Sequence, residues 1–377
     1  IMQEIDAVGG KIDPLIVLEK LKSEKIYDDA NGKKYLFQLA DLVPSTENVE
    51  AYCNIIRERY YKRALINVSK NIIDDAANSD EQADLLLESA EQKIYDIRQG
   101  RVTRGPSKIG DIIVNEVYDK LQKLSNPAER EKYKGYTTGF IDLDKAITGL
   151  NKSDLVIIGA RPAMGKTSLA LNLARNTAMM GKKKVLFFSL EMTKEQLAQR
   201  VLSTEARVES TKMRTGNISG DEWAKLATAT GLLSGCELYF DDTSNLTVSE
   251  MKSIIRRLKD VDAVFVDYLQ LMKSGSRVES RVQEVSEITR NLKLMAKDLN
   301  IPVVVLAQLA RTTEGRGKSH RPQLSDLRES GSIEQDADIV MMLYRPDYYS
   351  GEKEDGDEGE APRQDVNVAE VIIAKNR

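Results

Sequence analysis

LVIIGARPAMGKTSLALNLA, residues 155–174, is the stretch that decides the fold. A short apolar run, LVIIGA, feeds a turn that carries Gly165, and apolar residues at helical spacing follow at once. Strand, turn and helix in that order are the setting in which an x-x-x-x-G-K-T turn binds polyphosphate. The turn spans Ala160, Arg161, Pro162, Ala163, Met164, Gly165, Lys166, Thr167 and Ser168, with Ala160 where the pattern usually opens on glycine. Main-chain N–H groups of such a loop, and of the helix it opens, face the phosphates. Lys166 then sets a point charge on the β- and γ-phosphates, and Thr167 offers its hydroxyl to Mg²⁺. The expected ligands are ATP and Mg²⁺.

Working outward, further apolar runs stand at 185–190 (VLFFSL), 263–268 (AVFVDY), 303–308 (VVVLAQ), 339–344 (IVMMLY) and 368–374 (VAEVIIA). Most lack strict alternation, as expected of strands covered on both faces. Helical stretches at 193–205, 247–259 and 281–299 fall between them. The predicted class is α/β with a largely parallel sheet, from about residue 136 onward. Asp267 ends the run AVFVD, where a carboxylate holds Mg²⁺ directly or through water. Glu191 lies just past the next strand after the phosphate turn, at the strand end where ligands gather. It reads either as the base that orients water or as an acid favoured by a helix N-terminus. Gln308 ends another strand and reads either as a γ-phosphate sensor or as an ordinary polar residue.

Before residue 100 the pattern is helical. Ile55, Ile56, Tyr60, Leu65, Val68, Ile72 and Ile73 recur at three- and four-residue steps, and Leu85, Leu86, Ala90, Ile94 and Ile97 follow a turn at 78–80. A short connection favours an antiparallel pair. Residues 100–108, GRVTRGPSK, form a linker signature, and a lone amphipathic helix with Ile109, Ile112, Ile113, Val117, Leu121 and Leu124 comes next. Its apolar face needs a partner, either its own domain or a neighbouring subunit. The expected domains are 1–99, helical; 100–130, linker with helix; and 136–377, the ATPase.

Composition narrows the class. With 377 residues, 41% hydrophobic and 30% charged, the chain has enough material for two or three domains. No apolar run approaches the roughly 20 residues that span a bilayer, and IMQEIDAVGG has neither the basic start nor the apolar core of a secretory signal. A cytoplasmic location is expected. Cys53 and Cys236 form no CxxC unit and His320 is the single histidine, which argues against zinc. The net charge of −4 speaks against a globally basic coat for nucleic acid, though not against a basic channel. The stretch GEKEDGDEGEA (351–361) reads as a solvated acidic loop.

The segments GFIDLDKAITGL, GARPAMGKTSLALNLA, FSLEM, VFVDYLQLM, EVSEITRNLKLMAKDLNIPVVVLAQLAR and LSDLRESGSIEQDADIVMMLYR together resemble the bacterial replicative DNA helicases of the DnaB type. The likeness runs through nearly all of residues 136–377, and the linker and helical region are similar as well. It implies a RecA-like motor domain behind a helical N-terminal domain, assembled as a homo-hexameric ring. Such a ring encircles single-stranded DNA, moves 5′ to 3′ on ATP at the replication fork, and works with primase and a helicase loader.

On the same likeness Glu191 matches the catalytic glutamate and Gln308 the residue that couples the γ-phosphate to DNA-facing loops. Lys375 and Arg377 match a basic pair that reaches the neighbouring subunit's nucleotide; without the family they would read as solvated charges. Arg328, Glu329 and Gly331 match positions at the DNA backbone. The loops 273–281 and 311–321, the latter with Arg311 and Arg316, are polar, basic and glycine-containing, which suits phosphate contact. The resemblance further implies that the chain starts inside the N-terminal domain and stops before a last strand.

Two other readings share the phosphate turn: a filament-forming recombination or repair ATPase, and a non-motor ATP switch of the loader type. The helical region and SDLRESG speak against the first; strand displacement separates out the second.

Overall fold

The computed structural model describes residue 21 and residues 49–79, 83–98, 108–126, 134–274, 280–309, 321–327, 331–346 and 368–377. Its contacts divide the chain into two compact units, Ile1–Ser107 and Lys108–Arg377.

In the first unit, helices Val49–Asn78 and Ala83–Arg98 are joined through residues 79–82. The Lys93 ammonium of the second helix pairs with the Asp75 carboxylate of the first. Tyr60, Ala64, Val68 and Ile72, four residues apart, make the half-buried stripe of the long helix. Ile55, Ile56, Leu65 and Ile73, predicted to share that face, are 49–66% exposed.

The second unit begins with the linker helix, which runs from Ile109 to Ser125 with a π turn over Ile113–Tyr118. Its apolar face is not covered by the described residues: Ile109, Ile113, Val117 and Leu121 are 45–73% exposed. Beyond it lies a seven-stranded sheet. The strands are β1 (Leu155–Ala160), β2 (Val185–Ser189), β3 (Leu238–Asp241), β4 (Ala263–Asp267), β5 (Val303–Gln308), β6 (Ile339–Tyr344) and β7 (Glu370–Asn376). They lie in the order β3-β2-β4-β5-β1-β6-β7. All neighbours are parallel except β7, which runs antiparallel to β6.

Both faces of the sheet are buried, which is why these strands read as continuous apolar runs. Ile157, Phe188, Val266, Val305 and Met342 point to one face, under helices Val248–Leu258 and Arg281–Leu299. Ile158, Phe187, Phe265, Leu306 and Met341 point to the other, under helices Lys166–Met179 and Lys194–Ala206. Phe187 and Phe265 stack with ring centres 6.0 Å apart, and Phe240 meets Phe187 edge-on. Burying Phe187 and Phe265, both fully covered, contributes about 1.5–3 kcal/mol each. This is a RecA-like α/β fold, as expected.

Several expectations on elements need correction. The runs 185–190 and 263–268 stop one residue earlier as strands, because Leu190 and Tyr268 leave the sheet. β7 starts at Glu370 rather than Val368 and continues past Ala374 to Asn376. A shift in its register lies between Val340 and Met341 of β6. Strand β3 and helices Ser210–Thr215 and Gly220–Ser234 add to the predicted elements. The acidic stretch 351–361 and His320 lie outside the described residues.

One strap matters for the site. Residues 136–150 cross behind the phosphate-turn helix, closed by a bridge between Tyr136 and Leu150. The Thr137 and Thr138 hydroxyls each donate to Asp144 at 2.6 Å. Asn176 and Thr177 of the helix donate to the carbonyls of Thr138 and Thr137, both at 3.0 Å. Between them Gly139, at φ +78°, passes so close to Asn176 that a side chain there has no room. The strap thereby fixes the helix that presents Lys166.

Candidate nucleotide site

The phosphate turn leaves β1 and enters helix Lys166–Met179 through Gly165, at φ +92° and ψ 23°. Open space surrounds that position, so the backbone conformation rather than crowding selects glycine. Helices Lys194–Ala206, Gly220–Ser234 and Val248–Leu258 begin with capping boxes, Thr193 with Gln196, Ser219 with Glu222 and Thr247 with Glu250. Helix Lys166–Met179 has no side-chain cap among the described residues. Its first N–H groups have no carbonyl one turn back, and the positive end of its dipole faces the turn. An anion is the natural complement.

Three side chains meet at this end. Asp267, fully buried at the tip of β4, accepts a 2.7 Å hydrogen bond from the Thr167 hydroxyl through one oxygen. Its other oxygen has no hydrogen-bond partner among the described residues and lies 3.5 Å from the Lys166 ammonium. That ammonium also rests over the Tyr268 ring, 4.1 Å from its centre. Burial pushes Lys166 below the ordinary lysine range, and the negative charges of Asp267 and Glu191 oppose the shift. Burial likewise raises the Tyr268 phenol, with Glu191 and Asp267 adding to it, so it stays neutral.

Around this centre opens a cavity of about 360 Å³. It is lined by Ala160, Arg161, Pro162, Ala163, Gly165, Lys166, Thr167, Ser168, Glu191, Arg200, Tyr268 and Gln308. The sequence-derived residues of β1, β2 and β5 thus meet at the carboxyl ends of their strands. Met164 is the exception: its side chain is buried against Ala160 and Leu343 and does not line the cavity. Arg200, on helix Lys194–Ala206, is an addition that no motif marks. Its helix follows Glu191 in the chain, but no spacing in the sequence marks it as facing the same space.

The donor set fits a small hard cation. A buried carboxylate oxygen with no hydrogen-bond partner among the described residues, beside a hydroxyl, is oxygen chemistry of the kind Mg²⁺ prefers.

Lys375 stands in β7, away from the cavity. Its ammonium donates to the carbonyls of Glu334, Gln335 and Ala337 at 2.5, 3.5 and 2.7 Å, at the end of helix Gly331–Asp336. Arg377 is exposed, and its main-chain N–H donates to the Asp338 carbonyl. Gly331 opens helix Gly331–Asp336; Arg311, Arg316, Arg328 and Glu329 lie outside the described residues.

Comparison with known proteins decides the family. Residues 135–377 match the DnaB-like helicase C terminal domain, and residues 1–58 the DnaB-like helicase N terminal domain. The chain belongs to the replicative DNA helicase DnaB family. The replicative DNA helicase DnaB of Geobacillus stearothermophilus is 40% identical over 373 residues, covering 98% of this chain and 79% of that protein. The DnaB of Haemophilus influenzae is 41% identical over 385 residues, covering 100% and 80%. A solved DnaB-like replicative helicase, described with its interactions with primase, superposes with a TM-score of 0.62 at 31% identity, over 100% of this chain and 85% of that one. A second solved structure, of an ATPase domain, gives 0.64 at 35% identity, over 72% and 92%. As a DnaB-family member this chain is an ATP-dependent DNA helicase, and the recombination and loader readings fall away. No helix among the described residues is long and apolar enough to cross a membrane.

Proposed function

We propose that this helicase works as a homo-hexameric ring that moves 5′ to 3′ along single-stranded DNA, using ATP with Mg²⁺ in the cavity at the ends of β1, β2, β4 and β5. The observation that carries the reading is the cluster of Lys166, Thr167 and Asp267 at an uncapped helix start. Lys166 and the turn amides bind the phosphates, and Thr167 and Asp267 hold the cation. When bound, Mg²⁺ neutralises charge on the β- and γ-phosphates. Glu191 orients water toward the γ-phosphate, and Gln308 reports the phosphate's presence to the chain beyond β5.

Assembly is supported by the linker helix, whose apolar face over Ile109, Ile113, Val117 and Leu121 is left uncovered by the described residues. A neighbouring subunit is the partner it suits. Lys375 and Arg377 supply cations to the adjacent nucleotide, which makes hydrolysis depend on ring formation. Arg311, Arg316, Arg328, Glu329 and Gly331 are the proposed DNA contacts. Primase and a loader are the expected protein partners, in a bacterial cytoplasm at the replication fork. The domain division proposed is a helical region to residue 99, a linker to 130 and the motor from 136 to 377.

The test is unwinding of forked duplexes carrying a free 5′ arm, a free 3′ arm or both, with Lys166→Ala as control. Displacement that requires the 5′ arm and vanishes in the variant supports the proposal. Displacement that requires only the 3′ arm overturns its polarity.

A further inference from the structure

Gln308 is held in place by the side chain of Gln270. β4 and β5 pair only as far as Val266 with Val305, and the main chain of β5 continues to Gln308 beyond the end of that ladder. On its other edge β5 stays paired with β1 to the end, Ala160 opposite Gln308. The β4-facing edge is completed by Gln270. Its amide oxygen accepts the Gln308 N–H at 3.2 Å, and its amide nitrogen donates to the Gln308 carbonyl at 3.1 Å. A primary amide carries the same donor and acceptor pair as a peptide group, so it substitutes for the missing strand residue. Asparagine, the only other primary amide among the side chains, is a methylene shorter.

Gln270 is itself fixed from outside. It lies in the 3₁₀ turn Leu269–Leu271, three residues past Asp267, and its carbonyl accepts a 2.6 Å hydrogen bond from Arg281. Arg281 in turn pairs with Glu284 on helix Arg281–Leu299. On the opposite side, Arg161 of the phosphate turn donates to the Leu309 carbonyl at 3.1 Å, and the Leu309 N–H donates to the Ala160 carbonyl. The end of β5 is therefore gripped from the phosphate turn on one edge and from the Asp267 strand on the other. It is the point from which the chain departs toward residues 311–321.

We infer that Gln270 is a positioning residue: its bidentate grip on the main chain of Gln308 sets the height and direction of the Gln308 side chain over the nucleotide cavity. Through it, nucleotide occupancy is transmitted to the segment after β5. The functional half of this inference rests on the reading of Gln308 as γ-phosphate sensor in a DNA-stimulated ATPase. The grip itself does not.

Two variants separate the parts. Gln270→Met keeps length and loses both hydrogen bonds. Gln270→Glu keeps shape but turns an oxygen toward the Gln308 carbonyl in place of a donor, and it carries the test should the Met variant fail to fold. Amide hydrogen exchange over residues 303–309 in the full chain, without nucleotide or DNA, reads the grip: exchange at Gln308 rises about tenfold in Gln270→Met, which loses two such bonds, and by less in Gln270→Glu, which loses the donor to the Gln308 carbonyl. Unchanged protection in the folded variants overturns it. ATP turnover with and without a single-stranded oligonucleotide reads the coupling. The ratio of stimulated to unstimulated turnover falls about tenfold in both variants, a change that mere loss of stability, lowering both rates together, does not produce. A preserved ratio beside a raised exchange rate overturns the positioning role. Should the unaltered chain show no DNA stimulation, the sensor reading fails with that result, and the exchange experiment still decides whether Gln270 holds Gln308.

Discussion

Gly139 and Gly165 both take left-handed φ values in the motor unit, but their surroundings differ, and alanine at each position separates strain from crowding. At Gly165 the φ is +92° and an added Cβ meets nothing within 4 Å. Gly165→Ala therefore carries only the left-handed cost of an L-residue, about 1–2 kcal/mol. At Gly139 the φ is +78°, and the same Cβ falls 2.4 Å from Asn176 Nδ2 and 2.6 Å from its Cβ and Cγ. Asn176 is buried at 6% exposure, and it donates to the Thr138 carbonyl while accepting from Arg175. Displacing it adds overpacking of about 1–3 kcal/mol and loss of a hydrogen bond worth about 1 kcal/mol. Gly139→Ala should thus destabilise by about 3–6 kcal/mol in total. Urea titration read by the single tryptophan, Trp223, reports the motor unit, and far-UV circular dichroism must give the same midpoint for the comparison to hold. Equal losses for the two variants, or a larger loss at Gly165, would refute the reasoning.

Asp267→Asn removes the charge beside Lys166 and the anionic oxygen that suits a cation; Mg²⁺-dependent ATP turnover should drop at least about a hundredfold, and near-normal turnover would exclude Asp267 from cation binding. Lys166 has a lowered pKa because it is buried, and its cation is the form that binds phosphate. Nucleotide affinity should accordingly be full on the acid side and fall as pH rises, beginning below the ordinary lysine value of 10.5. Isothermal titration across alkaline pH checks this, with Lys166→Arg flattening the curve because guanidinium keeps its proton. Phe187→Ala empties the place between Phe240 and Phe265 and should lower stability by about 3–5 kcal/mol in the same urea titration, with nucleotide affinity retained in the folded fraction.

What can be read from sequence follows how each element is buried. β1, β5 and β6 are legible to the residue because each is covered on both faces, which leaves an uninterrupted apolar run with polar ends. β3 is not, because it lies at the sheet edge, four residues long and only half-buried, with Tyr239 and Asp241 diluting its signal. Helix Gly220–Ser234 does carry a legible start, Ser219 three residues before Glu222. In the site, the turn, Asp267 and the strand-end positions of Glu191 and Gln308 follow from local pattern. Arg200 and Gln270 do not, since each acquires its place from an element distant in sequence. Met164 reads as part of the ligand-facing turn, yet an apolar side chain next to Leu343 has a drier alternative.

Lys375 is already satisfied within its own chain. Its ammonium sits against three carbonyls at the end of helix Gly331–Asp336, where the partial negative charge of the helix gathers. Burial lowers its pKa, with Arg377 nearby adding to the effect and Asp338, Glu334 and Asp336 opposing it. To reach a nucleotide on another subunit this lysine must give up all three oxygens and leave the helix end bare. Only a destination richer in negative oxygen than a helix terminus can draw it out, and a triphosphate is such a destination where a spent, empty pocket is not. In the proposed ring, competition between these carbonyls and a triphosphate for one ammonium would make the cross-subunit contact conditional on fuel being present.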